Sequence, residues 1–366
     1  MDLEVDRHQL RTVRLVDLPP AELHAGEARL RVDAFALTSN NITYAVFGEA
    51  MRYWDFFPAA PDAADVDVDG VAWGRVPVWG FADVVESTVD ELTVGRRVYG
   101  YFSMSTELVV TPGRFDPRGF TDTAVHRAPM AGAYNRYVFC DEDPVYDSDR
   151  EPHQMVLWPL FFTSFVIDDF LDEAAQLGGS VVISSASSKT AIGSAFLLAR
   201  RTGVHVVGLT SPGNVEFVRD LGCYHQVVTY DALHELPEGA ATYVDIAGDS
   251  AVTRAVHEHY AGNLTYSMVV GGTHWDGPPP VAGDLPGAAP QFFFAPTQIA
   301  KRTKDWGRDG LEARTTDAWL AYRDWVDGWL RFQRSHGAAG VEHAYMDMLE
   351  GRVDPRVGHV CSMADE

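Results

Sequence analysis

The sequence predicts an α/β protein in two parts, a partly closed antiparallel β-barrel and a doubly wound parallel sheet. Its 366 residues exceed what one domain usually holds, since domains run to ~100–200 residues. The first third alternates apolar and polar residues with period two and is punctuated by glycine turns. Beyond residue 157, short apolar runs alternate with helical patterns, as right-handed βαβ crossovers require.

Ala28 to Phe35 alternates apolar and polar, the period of a half-buried strand. Val78 to Val85 and Arg97 to Phe102 read the same way, with Gly80, Gly95 and Gly100 near their ends. Residues 113–155 are rich in Pro, Gly, Asp and Arg and have weak periodicity. They form either a long ordered excursion or a functional loop. Asp168 to Gln176 reads as a helix ending at Gly178-Gly179, and Val181-Val182-Ile183-Ser184 as a buried strand. Residues 190–202 are an apolar helix, Gly203 breaks it, and Val204 to Leu209 is the second strand. Val215 to Leu221 is helical, and Gln226 to Val228, Ala241 to Ala247 and Leu264 to Val270 supply three more strands. Residues 276–290 read as a loop. Residues 312–335 read as an amphipathic helix whose Trp319, Tyr322, Trp325, Trp329 and Phe332 form a stripe suited to core packing. Ligands of such a sheet bind at the carboxyl ends of its strands.

Acidic residues outnumber basic ones by 52 to 29, giving a formal charge of −23. That field repels phosphate backbones and anionic lipid head groups, so nucleic-acid and membrane-surface roles are disfavoured. Cys140, Cys223 and Cys361 are odd in number and far apart, which suits a reducing cytoplasm rather than a disulfide framework. No basic flank leads into an apolar stretch at the N-terminus, so no secretory signal is expected. The longest apolar run, Met155 to Ile167, contains Pro159 and falls short of the ~20 residues of a membrane helix. A soluble cytoplasmic protein is expected.

Three stretches carry a family resemblance. Gly80-Phe81-Ala82-Asp83-Val84-Val85-Glu86, followed by Val94-Gly95-Arg96-Arg97-Val98-Tyr99-Gly100, resembles a signature segment of the medium-chain dehydrogenase/reductase superfamily, with Asp83 and Arg96 departing from it. Ser180 to Gly222, closing on Arg219-Asp220-Leu221-Gly222-Cys223, resembles that superfamily's first βαβ unit. Glu342-His343-Ala344-Tyr345, through Gly351 to Gly358-His359-Val360, resembles its returning tail. The resemblance spans most of the chain and is strongest to a bacterial branch with an A-S-S-K-T nucleotide loop. It implies a GroES-like catalytic domain over residues 1–157 and 300–366 and a Rossmann nucleotide-binding domain over 158–299. It also implies a homodimer, and zinc-independent, quinone- or enoyl-reductase-like chemistry on a small molecule.

The expected nucleotide loop is Ser185-Ala186-Ser187-Ser188-Lys189-Thr190, between a buried strand and an apolar helix. A Rossmann fold places its G-x-G-x-x-G turn there, so that helix-terminal N–H groups meet a pyrophosphate. Only Gly193 remains among the possible glycines, but small Ala and Ser permit close approach and Lys189 brings a positive charge. The alternative is a capped strand–helix turn that has lost its cofactor. After the second strand, Gly208 to Asn214 offers Thr210, Ser211 and Asn214 and no acid to take a ribose 2′-hydroxyl, which favours NADP(H) over NAD.

The cysteine and histidine ligands of the superfamily's zinc-dependent members are missing from the sequence. His257 and His259 lie two apart, about 200° around a helix, and cannot chelate together. Asp65-x-Asp67-x-Asp69-Gly70 resembles the start of a calcium loop, but its twelfth position is Val76, and a solvated acidic loop is the better reading. Without zinc, hydrogen-bond donors must polarise the substrate oxygen. Ser39 to Gly48 resembles the zinc-free "N-P-x-D-x-Y-x-x-x-G" segment, with Ser39 and Ile42 departing from it, and places Tyr44 on that group's donor tyrosine. A core tyrosine on a turn is the other reading.

Tyr134 and Tyr137, in the run His126-Arg127 … Tyr134-Asn135-Arg136-Tyr137, line a substrate cleft or belong to a surface loop. Thr163 resembles the threonine near the nicotinamide or simply starts a helix. Gly271, Gly272 and His274 follow the fifth strand, where the family's backbone meets the nicotinamide, or end it in a plain turn. Lys301-Arg302-x-Lys304-x-Trp306 is a basic island that reads as a solvated helix face or an anion site. The expectation is a zinc-independent, NADP(H)-dependent oxidoreductase acting on a carbonyl, quinone or activated enone. Its rivals are a non-redox enzyme on the same fold and a nucleotide-free binding protein.

Overall fold

A computed structural model describes residues 1–17, 19–59, 70–271 and 284–365. The chain forms two compact units, one built from Met1–Val156 and Leu330–Glu366, the other from Leu157–Trp329.

The first unit is dominated by a nine-stranded sheet. Its centre is the strand Ala28–Leu37, which pairs antiparallel with Pro77–Ser87, and that strand with Arg97–Ser103. The alternation read from Ala28 to Phe35 is what lets one face of this strand pair bury Leu30 and Val32 opposite Val84 and Ala82. The 113–155 stretch is an ordered excursion. Its strands Pro112–Asp116, Gly119–Asp122 and Arg136–Phe139 extend the same sheet beyond Arg97–Ser103. On the other side the tail strand Val357–Ser362 pairs with Ala28–Leu37, placing His359 opposite Leu37. A separate three-stranded sheet joins Val13–Val16, Asp2–Asp6 and Trp73–Gly74.

The second unit is a parallel sheet of six strands: β1 Ser180–Ile183, β2 His205–Thr210, β3 Gln226–Thr229, β4 Ala241–Asp245, β5 Leu264–Val269 and β6 Pro290–Phe292. Their order is β3-β2-β1-β4-β5-β6, so the winding reverses between β1 and β4. That is the Rossmann order, with its ligand crevice at the reversal. Helices α1 Glu151–Glu173, α2 Lys189–Leu198, α3 Val215–Asp220 and α4 Ser250–Tyr260 precede or cross between the strands, and α5 Ala295–Val326 follows them. The fold is thus the expected pairing of an antiparallel β unit with a Rossmann sheet.

Four expectations change. Helix α1 begins at Glu151 rather than Asp168 and runs through Pro159, so the proline does not end it. Its length and composition would suffice to cross a membrane, yet 61% of its apolar window is buried, as in a core helix. Helix α5 begins at Ala295 and ends at Val326, with a left-handed break at Gly307, and Phe332 lies in the strand Arg331–His336. The aromatic stripe of α5 packs within the second unit, Trp319 and Tyr322 on Phe161 and Trp325 on Phe196. For that reason the chain re-enters the first unit at Leu330, not near residue 300. Finally, the end of the expected 276–290 loop belongs to β6, while Asp65, Asp67, Asp69, Gly272 and His274 lie outside the described residues.

Candidate functional site

The nucleotide-loop residues come together at the carboxyl end of β1, at the reversal. Ser185 adopts a left-handed backbone (φ 52°), a conformation that favours glycine. Its N–H donates to the Tyr230 hydroxyl at 2.9 Å, and Tyr224 donates to the Ala186 carbonyl at 2.9 Å. Ala186 fits against β2 because position 208 is glycine: a Cβ there would stand 2.9 Å from the Ala186 methyl and 2.8 Å from the Tyr224 ring. Ser188 is the N-cap of α2, its side chain accepting from the Ala191 N–H, and Lys189 is the first helical residue. Asn214 donates to Ser187 Oγ at 3.1 Å and to Ser211 Oγ at 3.2 Å, tying the loop to the turn after β2. Gly193 is also explained, because a Cβ would lie 2.7 Å from Ser164 Oγ, which itself donates to the Leu160 and Thr190 carbonyls.

Beneath this loop lies a buried network that the strand pattern gave no reason to single out. Ser184 donates to Asp245 Oδ1 at 2.8 Å and accepts from the N–H groups of Ile246 and Ala247. Asp245 also accepts from Thr253 Oγ1 and from the Gly248 N–H. Both Ser184 and Asp245 are buried, so the ends of β1 and β4 are laced together across the reversal. The available signal was a polar residue ending each apolar strand. Tyr230, just past β3, was missed as well, for want of any loop motif around it.

The remaining nucleotide-side residues are less exposed to a ligand. Thr210 is buried, and its carbonyl accepts from the Tyr230 N–H. Thr163 stands mid-helix in α1, not at a helix start, and donates back to the Pro159 carbonyl. Gly271 follows β5 and faces the Ile246 carbonyl. The basic island is committed to ion pairs: Arg302 bonds Asp169 at 2.6 Å, and Lys301 pairs with Glu173 and Asp305. Arg302, Asp169 and Glu173, with Phe165, Asp168, Arg201 and Trp306, line a cavity of about 360 Å³.

Tyr44 sits in the first unit, on the helix Ser39–Val46, among other aromatic rings. Thr38 and Asn41 form the capping box that starts this helix, and Asn41 also donates to the Pro77 carbonyl. The Tyr44 ring lies 4.5 Å from Tyr53, 5.6 Å from Tyr101 and 6.2 Å from Tyr134. Phe56, Phe57 and Trp79 complete the cluster around Tyr101. Trp79 Nε1 donates to the Tyr44 hydroxyl at 3.4 Å, and the Tyr53 and Tyr134 hydroxyls are 3.4 Å apart. Burial pushes the Tyr44 phenol far above its ordinary value, so it is a neutral donor at any physiological pH.

Tyr137 stands apart from Tyr44 in role, because its hydroxyl is fully engaged. It donates to the Tyr101 carbonyl at 2.7 Å and accepts from Arg127 at 3.0 Å. Arg127, 1% exposed, pairs with Asp122 and also bonds Asn135 Oδ1 and the Tyr134 carbonyl. At Arg127, Asn135 and Tyr137 the polar run of the excursion is buried and bonded to itself. It is a buried knot that fixes the segment carrying Tyr134. Among the described residues, no group of His, Cys, Asp and Glu is arranged to hold a metal ion.

A family model described as "Protein of unknown function (DUF2855)" matches residues 35–354. The chain belongs to that family. No curated protein sequence matches it significantly. Among solved structures, the chain is similar to CurA from Vibrio vulnificus in complex with NADPH, with a TM-score of 0.60 and 16% identity over 97% of this chain and 94% of that one. It is also similar to YhdH of E. coli K-12 with bound NADPH, at 0.57 and 13% over 99% and 100%. The YhdH oxidoreductase of Salmonella enterica in complex with NADP gives 0.55 and 15% over 99% of both chains. At these identities the likeness establishes the shared fold.

Proposed function

We propose that the protein is an NADP(H)-dependent, metal-independent oxidoreductase that transfers a hydride to or from a carbonyl, quinone or activated enone. The observation that carries the proposal is the loop Ser185–Thr190 at the reversal of a β3-β2-β1-β4-β5-β6 sheet. It gains support from the NADPH and NADP held by CurA and the two YhdH proteins on the same fold.

The residues present suit a dinucleotide phosphate. The capped start of α2 offers helix-terminal N–H groups to an anion and carries Lys189 as its first residue. Ser187, Ser211 and Asn214 offer neutral hydroxyl and amide groups where an acid would repel a 2′-phosphate. Tyr230 steadies the loop through the Ser185 N–H. The bound dinucleotide would supply the hydride. Tyr44 would hold its proton toward the substrate oxygen and stabilise charge developing there. Tyr134 would flank Tyr44 as a second phenol, while Tyr137 serves only to anchor.

Calorimetry with NADPH, followed by rapid mixing with a panel of enones, quinones and aldehydes, tests the reading. Saturable heat and loss of the reduced-nicotinamide absorbance are expected. Heat without absorbance loss across the panel would point to a non-redox enzyme, and no heat at all to a nucleotide-free protein.

A further inference from the structure

Tyr101 is the hub of the tyrosine cluster. It stands on the strand Arg97–Ser103 and is 0% exposed. Its ring contacts Tyr44, Phe56, Phe57, Trp79 and Tyr134 at centroid distances of 4.9–5.8 Å. Its backbone carbonyl is held by the Tyr137 hydroxyl, so the residue is fixed from behind. Yet its own hydroxyl has no hydrogen-bond partner among the described residues. Buried hydroxyls in native proteins nearly always find a partner, so an orphan of this kind asks for a reason. Other orphaned aromatic polar atoms among the described residues, from Trp54 Nε1 in the first unit to Tyr243 Oη on β4 and Trp319 Nε1 and Tyr322 Oη in α5, occur in both units. Tyr101 is different because its neighbours are also loosely bonded, Tyr44 to Trp79 and Tyr53 to Tyr134 each at 3.4 Å.

Charge at this place is already balanced. Arg127 lies over Phe56 and Phe57 at 5.5 and 5.0 Å, but its guanidinium is bonded to Asp122, Asn135, Tyr137 and the Tyr134 carbonyl. Four neutral phenols and an indole therefore face one another with donors to spare and no free charge. A ligand matching that chemistry is uncharged at its reacting end, flat, and bears an acceptor oxygen. Burial raises the Tyr101 phenol well above its ordinary value, which keeps the donor protonated.

We infer that Tyr101 is a second hydrogen-bond donor to the substrate oxygen, acting beside Tyr44 on an uncharged, flat carbonyl compound. The inference rests on the oxidoreductase reading. An orphaned hydroxyl is a stability liability, so its removal separates function from structure. Tyr101→Phe keeps the ring and removes only the oxygen. The expected result is an unchanged or higher melting temperature together with at least a tenfold lower kcat/KM on the best uncharged enone or quinone. A melting temperature several degrees lower would show the hydroxyl to be bonded within the protein, and the inference falls. Unchanged stability with kcat/KM within twofold of wild type would make the hydroxyl idle, with the same consequence. Wild-type protein that oxidises NADPH with none of the panel defeats the oxidoreductase reading first, and the inference with it.

Discussion

The loop after β1 and the cluster around Tyr101 are both polar, both central to their units, and organised in opposite ways. Around the loop, side chains bind one another or the loop backbone at 2.8–3.2 Å: Ser184 with Asp245, Tyr230 with the Ser185 N–H, Tyr224 with the Ala186 carbonyl, Asn214 with two serines. Around Tyr101 the rings are tightly packed, while the Tyr44, Tyr53 and Tyr134 hydroxyls have contacts of 3.4 Å and the Tyr101 hydroxyl has no partner among the described residues. The first arrangement fixes a backbone without the usual glycines. The second fixes rings and leaves donors available. Rigidity in one place is made by polar bonds, in the other by aromatic packing.

Four substitutions probe this contrast. The largest loss should follow Arg127→Met, which strips the cluster's support and leaves Asp122 buried without its partner. Stability by urea unfolding should fall by ~3–5 kcal/mol. A loss under ~1 kcal/mol would mean that ring packing alone holds the cluster. Next comes Tyr44→Phe, which conserves packing but removes a donor. Turnover should fall ~10²–10³-fold, equivalent to ~2.7–4 kcal/mol, with little change in melting temperature. Turnover within about twofold of wild type would take Tyr44 out of the mechanism.

On the loop side, Lys189→Ala should weaken NADPH binding by ~1.5–3 kcal/mol. Unaltered affinity by calorimetry would remove the lysine from the anion site. The smallest effect belongs to Lys301→Met, in an ion-paired patch that serves neither cluster. Its hydrogen bond holds the Glu173 carboxyl below its ordinary 4.5. A carboxyl lowered in this way adds stability that is fully present above pH 4.5 and fades as pH falls through its folded value. The variant should therefore lose a little stability near neutrality and show a shallower acid decline, and high salt should erase the difference. A salt-insensitive change would mark the patch as more than a surface network.

The sequence made the alternating strands and five of the six parallel strands legible, because each buries a regular set of positions. It did not reveal β6, since Pro290, Gln291 and Phe292 are three exposed residues without periodicity. The start of α1 was hidden by Pro159, a local breaker that burial of the surrounding apolar face outweighs. The loop residues Ser185–Thr190 were readable from position alone. Tyr53, Phe56, Phe57 and Tyr101 were not, because only strand pairing and the 3₁₀ turn at Tyr53–Phe56 bring them beside Tyr44. The bonding of Tyr137 was not legible either, because an aromatic beside an arginine looks the same in sequence whether it faces a ligand or a buried salt bridge.

The left-handed Ser185 has a bearing on how such a loop arises through time. A non-glycine residue in that conformation costs roughly 1–2 kcal/mol, and the Tyr230 hydroxyl on its N–H offsets part of it. The two positions are thus coupled, and the order of substitution matters. A lineage that gained the tyrosine first could lose the glycine with little penalty, whereas the reverse path crosses a less stable intermediate. Among related chains, serine at the one position should travel with tyrosine at the other, and glycine should return wherever the tyrosine is gone.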